Sequence, residues 1–77
     1  MLPLEISDEQ VLKRIGLRLK KIRKEKGYAN YEHLAYELGM SRSAYWRIES
    51  GSNFEIKTLL RICRLLQLSL ADFFQEL

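Results

Sequence analysis

The sequence has little of what interrupts or staples a folded chain. It carries one proline, Pro3, and one cysteine, Cys63. A lone cysteine excludes an internal disulfide framework. With His33 the single histidine, no Cys/His cluster has metal-ligand spacing, so no metal is expected. Proline at position 3 leaves every later helix interior intact. No apolar run approaches the ~20 residues of a membrane span. The mildly apolar start is followed by Glu5, Asp8 and Glu9, the wrong order for a signal peptide. The expectation is a soluble protein of a reducing cytoplasm, with no membrane partner. Length is short too: 77 residues allow one domain, 1–77, with an N-terminal arm at 1–7 and no cleft between domains. A nucleophile–base set, a paired-carboxylate site and a phosphate-cradling glycine loop are all missing. That argues against an enzyme, and no cofactor is expected.

What is present is charge, unevenly placed. All 13 lysines and arginines lie between Lys13 and Arg64, beside only five acids, a net of 13 − 5 = +8. The other five acids, Glu5, Asp8, Glu9, Asp72 and Glu76, sit at the two ends. Such asymmetry suits a polyanionic partner, because phosphate neutralisation supplies much of nucleic-acid affinity. The plainer reading of the run Lys20, Lys21, Lys24, Lys26 is a solvated helix face.

Periodicity is helical throughout and no stretch alternates like a strand. Ser7 with Gln10 forms a capping box for a helix over about Asp8 to Lys26, striped by Val11, Ile15, Leu19 and Ile22 and stopped at Gly27. Asn30 caps a second helix that buries Leu34, Ala35 and Leu38 and stops at Gly39. Ser41 caps a third, Arg42 to Ser50, closed by Gly51. A fourth spans about Glu55 to Gln67, with Ile56, Leu59, Leu60, Cys63 and Leu66 as its stripe. Ser69 with Asp72 marks a capping box for a fifth, Leu70 to about Glu76. The fold class is all-α, five helices around one core.

Only Gly39 to Ser41 separate the second and third helices, so the two must cross steeply. On the third helix Ala44, Tyr45 and Ile48 face the core, while Arg42, Ser43, Trp46 and Arg47 point away. Arginine can pair with guanine O6 and N7, and serine can donate or accept. Ser41 and the amides behind it can hold a phosphate. The alternatives are a solvated Arg42 and a Trp46 packed on a neighbouring helix.

Three stretches, IGLRLKKIRKEKG, LAYELGMSRSAYWRIESG and IKTLLRICRLLQLSLADFF, resemble the Cro/repressor-type (Xre-type) helix-turn-helix family over residues 15–74. Leu34-Ala35, Gly39-Met40-Ser41 and the run Arg47 to Gly51 carry the match by their joint spacing. The resemblance implies a lambda-repressor-like domain, with the helix-turn-helix made by the second and third helices. It further implies a homodimer on double-stranded DNA, bases read by Arg42, Ser43 and Arg47, and phosphates met by Ser52 and Asn53. A structural pair, Arg23 with Glu49, is implied as well. Where the family often has glutamine this chain has Tyr31, after Asn30, whose hydroxyl can still reach a phosphate. Phe54 stands where a proline is frequent.

Leu17, Ile62 and Leu65 fall off the main stripes, and Phe74, Leu77, Met1, Leu2, Leu4 and Ile6 add apolar surface at the ends. A homodimer through the fourth and fifth helices, by Ile62, Leu65, Phe74 and Leu77, is the expectation. The function expected is sequence-specific DNA binding in transcriptional regulation, with repression as the sign. The competing class is a protein-interaction module, antitoxin-like or an adaptor, on the same fold.

Overall fold

The computed structural model describes residues 2–77; the expectation for Met1 lies outside them. Five helices run in order: α1 Asp8–Glu25, α2 Tyr31–Leu38, α3 Arg42–Glu49, α4 Ile56–Leu65 and α5 Leu70–Gln75. No helix is long and apolar enough to cross a membrane.

Local chemistry explains most of the boundaries. The Ser7 hydroxyl accepts from the Gln10 amide at 3.2 Å and the Gln10 side chain accepts from the Ser7 amide at 3.1 Å, closing the capping box. Asn30 accepts from the His33 amide at 3.0 Å, and Ser41 from the Ala44 amide at 3.1 Å. Ser69 accepts from the Asp72 amide at 3.0 Å. The Asp72 side chain does not return that bond, because it is one methylene shorter than the Glu or Gln of a full box. Gly39 closes α2 at φ 70, a left-handed turn that a Cβ disfavours. After α4 the chain makes a comparable turn at Gln67, with φ 56 and no glycine to ease it.

The core takes Leu19 and Ile22 from α1, Leu34, Ala35 and Leu38 from α2, Tyr45 and Ile48 from α3, Leu59, Ile62 and Cys63 from α4, and Leu66 and Phe73 beyond it. Two expectations for α4 are corrected here. Ile62, read as an off-stripe interface residue, is fully buried, while Ile56, read as core, is 64% exposed. Ile56 is the first residue of α4, at an end where nothing lies over it. The face that meets α2 and α5 is therefore turned toward position 62 by roughly half a residue step.

Two arginines hold helices together from the rim. Arg18 on α1 donates to the Phe73 carbonyl at 3.2 Å and the Asp72 carbonyl at 3.3 Å, and pairs with Glu76 at 2.6 Å. Its guanidinium also lies over the Phe73 ring. Arg61 on α4 donates to the Leu38 carbonyl at the end of α2. Part of the contrast between basic middle and acidic ends is thus satisfied within the fold. At the N-terminus Leu4 stands fully out in solvent, while Leu2 and Ile6 are half-buried.

Candidate nucleic-acid interface

Helices α2 and α3 pack on each other across the short turn, and α1 backs α3. The reason α1 and α3 come so close is Gly16. A Cβ there would stand 2.8 Å from the Ile48 carbonyl oxygen and closer still to that of Glu49. Only a residue without a side chain lets the end of α3 lie on α1.

Beside this contact sits the expected structural pair. Arg23 Nε lies 2.7 Å from Glu49 Oε2, Nη2 donates to Oε1 at 3.2 Å, and Nη1 donates to the Tyr28 carbonyl at 2.7 Å. Both side chains are almost wholly buried. The guanidinium therefore ties α1 to the last turn of α3 and to the loop before α2. The Tyr45 hydroxyl lies near the pair, also buried, with no hydrogen-bond partner among the described residues. Burial first, then the Glu49 carboxylate, pushes its phenol above the ordinary value, with Arg23 acting the other way.

With Tyr45 and Ile48 turned inward, Arg42, Ser43, Trp46 and Arg47 are all exposed, as the sequence indicated, and Ala44 is half-buried. The Ser41 hydroxyl is occupied by its cap bond and lies 3.4 Å from that of Ser43. Arg42 is not simply solvated: its Nη1 pairs with Glu32 Oε2 at 3.4 Å. Trp46, 52% exposed, borders a shallow groove of about 170 Å³ with Leu17, Lys20, Tyr31 and Ser50, over the Arg23–Glu49 pair. Trp46 thus stands at the edge of this groove with about half of its surface in solvent.

Tyr31 is half-buried and packs against the core, so its ring belongs to the scaffold. Asn30 is exposed, with its oxygen engaged in the cap and its NH2 without a hydrogen-bond partner among the described residues. In the loop after α3, Ser52 and Asn53 are exposed. The Ser52 amide donates to the Arg47 carbonyl at 2.9 Å, leaving its hydroxyl free of that bond, and the Asn53 oxygen accepts from the Phe54 amide. His33 is a surface residue, 3.6 Å from Glu37. Tyr28 donates to the same Glu37 and meets the His33 ring edge-on.

The sequence did not single out Gly16, Glu32 or Tyr45 as parts of this site. Gly16 had a legible signal, a glycine inside an otherwise strong helix pattern, which marks a close approach. Glu32 had none, since its partner is ten residues away and across a turn.

Residues 14–73 match the sequence model of a family described as Helix-turn-helix domain, nearly the stretch that carried the resemblance. No curated protein matches the chain. Nor does any solved structure.

Proposed function

The chain belongs to the helix-turn-helix domain family, and from that premise we propose that it is a sequence-specific double-stranded DNA-binding regulator that lays α3 in the major groove. The supporting observation is the division of α3: Arg42, Ser43, Trp46 and Arg47 exposed on one side, Tyr45 and Ile48 buried on the other. An α-helix is about 10–12 Å across with its side chains, and a major groove about 12 Å wide admits it. Arg42, Ser43 and Arg47 read base edges, and Trp46 lies along the same face where a thymine methyl can meet it. The exposed Asn30, Ser41, Ser52 and Asn53, together with the hydroxyl of the half-buried Tyr31, grip phosphates and set the register. The Arg23–Glu49 pair makes no DNA contact in this reading. It fixes the angle at which α3 is presented.

Regulation in this reading is repression by occupying the operator, carried out in the cytoplasm by a homodimer of the Cro/repressor (Xre) type on paired half-sites. Leu65, Phe74 and Leu77 supply the dimer surface, with Ile62 removed from it because it is buried within the protomer. The test is selection from random duplex DNA, with the mass of the free and bound protein measured alongside. Enrichment of a two-fold symmetric site bound by two copies is expected. Absence of any enrichment at low salt would overturn the reading, and capture of a protein partner instead would favour the interaction-module class.

A further inference from the structure

Arg42 carries the one ion pair seen on the exposed face of α3 among the described residues. Glu32 is the second residue of α2, where the positive end of that helix favours a carboxylate. Arg42 is the first residue of α3, where the same effect disfavours a cation. The turn sets these two ends side by side, and each group relieves the other's surroundings. Both side chains are largely exposed, at 55% and 72%, so the pair adds little to stability. Its consequence lies in what Arg42 can meet. Arg47, by contrast, has no side-chain partner among the described residues.

We infer that Glu32 is a positioning residue for base discrimination, holding Arg42 toward base edges and away from the sugar–phosphate backbone. The inference rests on the DNA-reading role proposed for α3. One of the five guanidinium N–H groups is engaged by Glu32, and the remaining edge still fits guanine O6 and N7. The carboxylate also puts a negative charge beside the Arg42 guanidinium, and like charge repels a phosphate approaching it. Without Glu32 the arginine becomes a general phosphate binder.

The experiment compares wild type, Glu32→Gln, Arg42→Ala and the double variant by selection from random duplex DNA, by titration on unselected duplex across a salt series, and by thermal melting. Arg42→Ala identifies the base pair that Arg42 reads. Glu32→Gln is expected to reduce preference at that same base pair about tenfold and to leave other positions unchanged. It should bind unselected duplex several-fold more tightly, with a salt dependence steeper by about one ion. Its melting temperature should fall by no more than a few degrees, the loss of one first-turn carboxylate, and in the double variant no further discrimination should be lost. A Glu32→Gln profile identical to wild type would overturn the inference, as would uniform weakening at all positions. So would an Arg42→Ala variant with unchanged preferences. A wild-type protein that enriches no sequence would overturn the DNA reading itself, visible without any variant.

Discussion

The Arg23 guanidinium and the Glu49 carboxylate meet through two hydrogen bonds, at 2.7 and 3.2 Å, with both side chains less than a tenth exposed. This pair is the only buried link of its kind among the described residues. It joins the last turn of the molecule's longest helix to the end of the helix whose outer face is free.

Breaking it from one side leaves a charge in the interior. Arg23→Met or Glu49→Leu should each cost about 3–5 kcal/mol, a large share of the roughly 5–15 kcal/mol available to a small domain. The double variant should be more stable than either single one, because no unpaired charge remains. Urea unfolding of the three variants measures this. Equal losses in the singles and their full sum in the double would contradict it.

Gly16→Ala tests the helix crossing. Helix propensity alone would favour alanine by about 0.8–1 kcal/mol. The new methyl meets backbone oxygens of Ile48 and Glu49, which cannot turn aside as a side chain can. The expected outcome is a net loss of about 1–3 kcal/mol, read as a lower melting temperature. A gain would mean that α1 and α3 stand further apart.

Tyr45→Phe separates two contributions by pH. Near neutrality the change should be neutral or stabilising, since the buried hydroxyl has no partner to lose. Because the folded-state pKa of Tyr45 is raised above 10, the unfolded chain releases its proton first as pH rises. Wild-type stability is full below pH 10 and falls above it, by up to about 1.4 kcal/mol per pH unit. The variant lacks that fall. Tyr28, raised in the same direction chiefly by its bond to Glu37, is present in both proteins and does not mask the difference. Denaturant midpoints between pH 8 and 11 decide it.

On DNA, Arg47→Ala and Ser52→Ala should part company. Loss of a base-reading arginine should relax preference at one position by about 1–3 kcal/mol. Loss of the Ser52 hydroxyl should weaken all sequences alike. Competition binding on single-base variants of the selected site distinguishes the two, and the same pattern from both would remove Arg47 from the base-reading set.

The helices were legible because their signals are local. Ser7, Asn30, Ser41 and Ser69 each bond an amide three residues on, and such a cap depends on nothing distant. The outward face of α3 was legible for a related reason, since 3.6-residue periodicity places Tyr45 and Ile48 opposite Arg42, Ser43, Trp46 and Arg47. The stripe on α4 was less so. Apolar residues at 56, 59, 60, 62, 63, 65 and 66 nearly surround that helix, and composition cannot choose among faces.

By itself, then, the sequence determined five helices, their caps and which side of α3 is polar, all consequences of interactions within about four residues. Tertiary structure decided which face of α4 is covered, that Tyr31 packs inward, that Arg18 and Arg61 clasp neighbouring helices, and that Glu32 reaches Arg42. Each of these joins groups on different elements, and depends on how the helices cross. That crossing is set by the Gly39–Ser41 turn together with the close approach at Gly16, and neither distance nor angle is written in the spacing of residues along one helix.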